Sequence, residues 1–347
     1  MREAGDAVVR RPWPRWTRRP LVPALALLLA AVVSLIQGQP SPVEPPIGVS
    51  IPADDAPPPA TVGQLMVVYG GGLFRVNPVN RAAARVTLPK GAQVLRVLPC
   101  YKAHVALVRF PSGRLVAYAI HDSGERVKLA EASAVVPDVG NRTVWLVAAG
   151  RVTQYTLDGR RVRPPIALPA GYHAVSGIRG ELVASGSGKL DAKTLLLPDQ
   201  GRRRQVLAEG EALDVAGAIV LLRRRNQLLT LNLRTRIVTL LPQLAAVKIT
   251  GPGTLMEDGA AFAVVGTVGE HQRLVVGPIA PKNGSELQLV GLDGGLPLPY
   301  PPPARWTGYG SVLAVRPDGR VVFYQPGQRR ATVLDLDLPA VTAVASG

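Results

Sequence analysis

From Leu65 to the C-terminus, short apolar runs alternate with polar, glycine-bearing turns, and the alternation recurs as a unit. Each unit opens with an apolar strand and makes a tight turn. A second strand follows, then another polar turn, then a third strand. The stretch from Ala103 reads AHVALVRFPSGRLVAYAIHDSGERVKLA, that from Arg142 reads RTVWLVAAGRVTQYTLDGRRVRPPIALP, and that from Ser311 reads SVLAVRPDGRVVFYQPGQRRATVLDL. Weaker copies start at Leu65, Glu181, Ala218 and Ala260, so successive starts lie 38, 39, 39, 37, 42 and 51 residues apart. A further apolar stretch lies between units, such as SAVVPDV or EALDVAG, which makes four strands per unit. Arg151, Thr153 and Tyr155 interleave with Val152, Gln154 and Thr156, a period of two that marks strand. Ser112-Gly113, Asp158-Gly159, Ser187-Gly188 and Asp318-Gly319 supply the hairpin turns. Four-stranded units of about 40 residues, repeated, predict an all-β, seven-bladed β-propeller over residues 63–347. A β-sandwich, or a pair of them, is the alternative, but it needs no such period.

The two ends of the repeat do not match. The first unit begins at Leu65 with a second-type strand, whereas Pro339–Ala345 reads as a first-type strand without successors. The terminal strand is therefore expected to complete the first blade and close the ring, which removes exposed sheet edges. The order of apolar strand, Gly turn, aromatic-bearing strand and then D-x-G or D-G resembles bacterial propellers of the quinoprotein, YVTN and TolB-like kinds. The resemblance covers about residues 63–347 and implies architecture only. The Trp-Asp signature of WD-repeat propellers, the S-x-D-x-G-x-T-W box of sialidases and the Trp-bearing repeats of quinoproteins are missing, so no enzymatic residue carries over.

Helical periodicity is confined to the N-terminus. An uncharged apolar run, Leu21–Ile36, would span roughly 24 Å as a helix. That is slightly short for a bilayer core and slightly long for a signal peptide. Trp13 and Trp16 sit just before it, where interfacial aromatics belong, and Pro20 and Pro23 fall where a helix start tolerates them. Six arginines in residues 1–20 keep that side cytoplasmic. The reading is a basic tail (1–20), one N-terminal transmembrane helix acting as anchor or signal segment (21–38), a Pro-rich linker (39–62) and the propeller. Cleavage after Gly38 would put Ile36 at −3, a poor fit, and no cysteine offers a lipid anchor. The Pro density of 39–62 favours extended polyproline conformation and a spacer role. The expected location is the cell membrane, single-pass, with the C-terminal domain extracytoplasmic.

Composition refines this picture. Net charge is +16, with 40 Lys and Arg against 24 Asp and Glu, and the excess lies in the folded part. Such a surface draws nucleic acid, anionic lipid or acidic polymers, although a surplus of Arg is also the ordinary consequence of a GC-rich genome. The triplets Arg223–Arg225 and Arg202–Arg204 fall on turns at opposite ends of their blades and make no single groove, and export also argues against nucleic acid. The single Cys100 forbids an intramolecular disulfide and reads as a small buried residue.

Catalytic chemistry is not legible. His104, His121, His173 and His271 lack ligand spacing, so no metal site is expected. Ser185-Gly186-Ser187-Gly188 reads as a turn rather than a nucleophile elbow, and Asp335 with Asp337 reads as two carboxylates on one strand face. No cofactor is expected. Two binding features remain. Basic residues at the second-to-third-strand turns, Arg114, Arg151, Lys189, Arg224 and Arg320, would form a ring on one face. The long sixth interval carries its excess in Gly291–Gly310, whose Tyr300, Arg305, Trp306 and Tyr309 are residue types common in hot spots. Pro299 and Pro301–Pro303 would stiffen that loop and Trp306 would anchor it. The expected function is a membrane-anchored, extracytoplasmic, non-catalytic binding or scaffolding propeller, with an envelope protein or an anionic polymer or lipid as partner. The alternative is an exported hydrolase, lyase or oxidoreductase with its site at the central channel. A cluster of His or carboxylates on the axis would favour the enzyme.

Overall fold

The computed structural model describes residues 48–346 apart from 56, 58–62, 141, 187–191, 199–202, 242–243, 245, 281–285, 293–303, 308–309 and 339. The segments expected to form the basic tail and the membrane helix therefore lie outside the described residues. Among those described, no helix is long and apolar enough to cross a membrane.

Seven sheets form, each with four antiparallel strands. The innermost strands are Val341–Ser346, Gln93–Cys100, Ala134–Pro137, Tyr172–Ile178, Glu211–Ala216, Lys248–Leu255 and Ala304–Trp306, for blades one to seven. Second strands begin at Leu65, Ala103, Thr143, Glu181, Ile219, Ala261 and Val312, within one residue of the starts read from the repeat. Their sequences show why. Ala103–Arg109 is buried at every position but its last, and Val312–Val315 at every position, because both faces of a second strand meet neighbouring blades. A strand buried on two faces reads as a continuous apolar run rather than an alternating one. The outermost Ala82–Arg85 and Val238–Leu240 are exposed throughout.

The core is divided into slabs. Among the described residues, seven hydrophobic clusters occur, one between each pair of adjacent blades. Leu65, Val67, Leu313 and Phe323 meet between blades seven and one, and Trp145, Leu182 and Leu195 between blades three and four. No single centre organises the domain.

The ring closes as the mismatched ends implied. Val341–Ser346 pairs antiparallel with Leu65–Tyr69, placing Met66 opposite Ala345 and Val67 opposite Val344. Thr342 Oγ1 donates to the Val68 carbonyl at 3.2 Å. Blade one is thus built from both ends of the propeller sequence.

The proline-rich stretch contributes structure that a free spacer would not. Val49–Ile51 pairs in parallel with Gln288–Gly291, and Ala53–Asp54 with Arg330–Leu334, adding a fifth outer strand to blades six and seven. Ile51 is buried in the cluster between those blades. Gly48 makes the approach feasible, since a Cβ there would lie 1.9 Å from the Leu287 carbonyl oxygen. Prolines flank these strands, and Pro52 separates them, so the missing N–H groups fall outside the pairing.

Closure generates two predictions. Deleting residues 339–347 removes an inner strand and exposes the edge of Leu65–Tyr69. The expected result is a melting temperature lower by at least ~10 °C, or no cooperative transition; an unchanged melt would refute the latch. The second concerns His104, buried in blade two and hydrogen-bonded to the backbone of Ser346, the last described residue of the latch. Burial pushes its imidazole down to about 4, against the opposing pull of Asp122 and Ser346. A lowered folded-state value means that the unfolded chain takes the proton first, so this contribution is lost as pH falls from roughly 6.5 toward 4. Urea unfolding at pH 7 and pH 4.5 should show wild type losing roughly 2–3 kcal/mol more than His104→Asn over that window. Equal losses would show that His104 does not stay neutral in the folded ring.

Candidate functional site

The inner strands run side by side around the axis, and their C-terminal ends converge at one mouth. There a pocket of about 250 Å³ opens, its wall drawn from all seven blades. Leu98, Pro99, Pro137, Val215 and Leu255 supply apolar surface; Asp138, Asp214, Glu257 and Arg305 supply charge. Tyr101 stands at the rim, 54% exposed, with the cations of Lys102 and Arg142 each 5.4 Å from its ring centre.

Backbone irregularities aim these side chains. In five of the seven inner strands the pairing with the second strand slips by a bulge or similar irregularity. In blades two, four and five the residue passed over is Leu95, Val175 and Leu213, and the residue after it is Arg96, Ser176 and Asp214. An extra residue reverses which way the following side chain points. Ser176 and Asp214 thereby line the pocket, and Arg96 lies within electrostatic reach of Arg305 and Asp214.

Both carboxylates are held by the fold. Asp138 Oδ1 accepts from Trp145 Nε1 at 2.8 Å and Oδ2 from Thr143 Oγ1 at 2.9 Å, and Gln154 Nε2 donates in turn to Thr143 Oγ1. Gly177 of blade four covers this pair; a Cβ there would lie 1.8 Å from Trp145 Nε1. Asp214 Oδ2 accepts from the Leu255 amide at 2.8 Å and Oδ1 from the Val215 amide at 2.9 Å, with Thr254 also bonded to it. Asp214 thus joins blade five to blade six. Burial raises both carboxyls above their usual range, against these donors. Burial likewise pushes the Cys100 thiol up to about 12, partly offset by Arg305, which leaves it protonated and unreactive at neutral pH.

The arginines differ from the acids. Arg305 comes from blade seven yet is felt by Asp214 of blade five and by Cys100 and Arg96 of blade two, so its charge sits near the axis. Protein encloses it while part of its surface stays open to the pocket. Among the described residues it makes no hydrogen bond and no ion pair, and the same holds for Arg96. Burial and, next, the Arg305 charge push Arg96 down to about 10 although its side chain is open to the channel.

The residues singled out by sequence are dispersed. Ala304–Trp306 is the inner strand of blade seven rather than part of a protruding loop, because the blade takes its inner strand from the residues after the insertion. Trp306 packs into the cluster between blades six and seven, and its indole nitrogen is buried without a partner among the described residues. Tyr300 and Tyr309 lie outside the described residues, as does Lys189. Arg114, Arg151, Arg224 and Arg320 do share one face, opposite the pocket mouth, since second-to-third-strand turns fall at the other end of the blades. Arg114 pairs with Glu131 at 3.3 Å, Arg224 with Glu209 at 3.9 Å and Arg320 with Asp318 at 2.9 Å, which reduces the field of the ring. Ser185 is buried and structural, its hydroxyl accepting from the Ala212 amide, and Asp335 and Asp337 pair with Arg81 at the surface. No group of three metal-ligating side chains occurs among the described residues. Asp138 and Asp214 carried a sequence signal that was overlooked: each is an acid inside an otherwise apolar inter-unit stretch, SAVVPDV and EALDVAG.

Comparison with solved structures extends the fold assignment. No protein-family model matches the chain, and no curated protein sequence does. The β-propeller domain of the trilobed protease from Pyrococcus furiosus is similar at 9% identity and TM-score 0.56, over 83% of this chain and 97% of that one. That domain has an open velcro topology, whereas the ring here is closed by Val341–Ser346. A puromycin-hydrolysing peptidase from Mycobacterium tuberculosis matches at 14% identity and TM-score 0.52, over 78% of this chain and 50% of that one, so this chain spans half its length. TolB from Acinetobacter baumannii matches at 13% identity and TM-score 0.48, over 93% and 71%. With the seven-bladed ring, the likeness is to the β-propeller superfamily, with no specific family.

The placement of Trp306 generates a prediction. Trp306→Ala should destabilise the domain by about 3 kcal/mol, as truncation of a packed aromatic does, measured by urea unfolding. Unchanged stability together with loss of a bound envelope partner would restore the loop-anchor reading.

Proposed function

We propose that this seven-bladed propeller is a membrane-tethered, extracytoplasmic binding module whose recognition site is the mouth of the axial pocket. One observation carries the reading: Arg305 lies open to a pocket in which the inner-strand carboxylates Asp138 and Asp214 already have protein donors. A site so arranged is suited to hold a ligand, because with both acids hydrogen-bonded to the protein the guanidinium keeps its donors for an incoming group. The apolar wall and a few convergent polar groups suit a small ligand or the end of a chain. The tether and the export rest on the Arg-rich start, the apolar run Leu21–Ile36 and the flanking Trp13 and Trp16. Partners consistent with that location are an envelope protein or an anionic polymer or lipid.

A second reading has one observation in its favour. Asp138 and Asp214 meet at the same pocket and both are raised by burial, and paired raised carboxyls are a pattern of acid–base catalysis. An exported propeller enzyme is therefore the alternative.

A reporter active only after export, fused after Ala60, is expected to be active, and the full chain to stay in the membrane fraction after high-salt washing. Activity from a cytoplasmic reporter alone would reverse the orientation, and release by salt would remove the anchor. In the same cells, a photo-cross-linker replacing Tyr101 at the pocket rim should capture an envelope partner that one replacing Val238 on the outer rim does not. Equal capture at both sites would move recognition off the axis.

A further inference from the structure

The axial pocket holds an electrostatic imbalance. The charge of Arg305, which protein encloses, disfavours that of Arg96, whose side chain is open. Two like charges in a partly desolvated channel are costly unless an anion sits between or beside them. Asp214 favours both charges without pairing directly with either among the described residues. Asp214 directs both oxygens to the Leu255 and Val215 amides, and Asp138 directs its pair to Trp145 and Thr143. Neither forms a direct ion pair with Arg305 or Arg96 among the described residues. The bulges in blades two and five aim Arg96 and Asp214, and the inner strand of blade seven supplies Arg305, so the arrangement is built by three separate blades.

We infer that Arg305 is the seat of a ligand carboxylate in the axial pocket, with the charge of Arg96 supporting it. The inference rests on the binding-module reading and specifies its ligand. A guanidinium presents a planar fork of N–H donors that matches the two oxygens of a carboxylate. Charge selects a monoanion over a dianion: a second negative charge would face Asp138 and Asp214, whose own oxygens already crowd the wall. The body of the ligand lies against Leu98, Pro99, Pro137 and Leu255 and is apolar or weakly polar. The cavity, about 250 Å³, limits that body to a small organic acid or the last few residues of a peptide chain. Free acid and chain end share the carboxylate chemistry.

The test uses the purified full chain in detergent, with thermal shift and calorimetric titration as readouts. The probes are hexanoate, hexanamide, succinate, acetyl-trialanine with a free C-terminus and the same peptide amidated. A ligand that binds only the folded state raises the melting temperature with its concentration. Expected is saturable binding of at least one monocarboxylate, at least tenfold tighter than its amide and than succinate. Arg305→Gln should abolish that preference, Arg305→Lys should weaken binding about tenfold by loss of the fork, and Arg96→Gln should weaken it less. Binding of the peptide acid without hexanoate would identify a chain end as the source; the reverse would identify a free acid. If acid and amide bind alike, the carboxylate seat is overturned while the binding module stands. If no carboxylate binds, or if Arg305→Gln folds and binds the acid as wild type does, the seat is likewise overturned. Should Arg305→Gln fail to fold, Arg305→Lys and the acid-to-amide ratio on wild type still decide the matter.

Discussion

Everything in this protein depends on a sheet face having no cover except the next blade. Each four-stranded sheet presents aliphatic side chains on both faces, and no helix is available among the described residues to bury them. Burying large aliphatic side chains contributes about 1.5–3 kcal/mol apiece, but here only when the adjacent blade is present. The ring must therefore close, and it closes through Val341–Ser346 against Leu65–Tyr69. Local failure at that seam uncovers two interfaces at once, those of blade one with blades seven and two. The placement of His104 against Ser346 puts a buried titratable group on that same seam.

Closure also creates the axis. Inner strands of seven blades cannot meet at a point, so they leave a channel whose lining is set by strand register. Bulges shift that register in five inner strands. Two polar residues they present serve first as ties between blades, Asp214 to Leu255 and Ser176 Oγ to the Pro137 carbonyl at 3.3 Å, and Asp138, on the unbulged strand of blade three, pairs beside Gly177. Arg305 and Arg96 lie among these ties without joining them. The contrast between satisfied acids and unengaged cations gives the pocket its chemical direction, and neither half of it follows from net charge. The surface arginines that dominate the +16 total are largely elsewhere, several of them paired with acids.

The outer edges are treated unevenly. Blades six and seven have theirs covered by Val49–Ile51 and Ala53–Asp54, in parallel register. Blades four and five keep Val206, Ile237, Val238 and Leu240 exposed on their outer sides. The covered edges draw residues 49–54 onto the propeller, and Ile51 joins the cluster between blades six and seven.

The sequence by itself determined the blade count, the second-strand starts and the closure, because each of these is a one-dimensional signal. A strand buried on both faces must be continuously apolar, a tight turn needs glycine or a short polar residue, and a repeat that begins on its second strand must end on its first. The tertiary structure alone decided the site. Arg96 and Cys100 on one strand, and Asp138, Asp214 and Arg305, lie on four separated stretches of chain, and only the curvature of the ring brings them to one axis. Arg305 and Trp306 show the same limit from the other side. Adjacent in sequence and read together as parts of a loop, they occupy one inner strand, where both line the axial pocket and the indole also packs against the interblade core. A loop and an inner strand differ in what lies beside them, and that is set by blades far away in the chain.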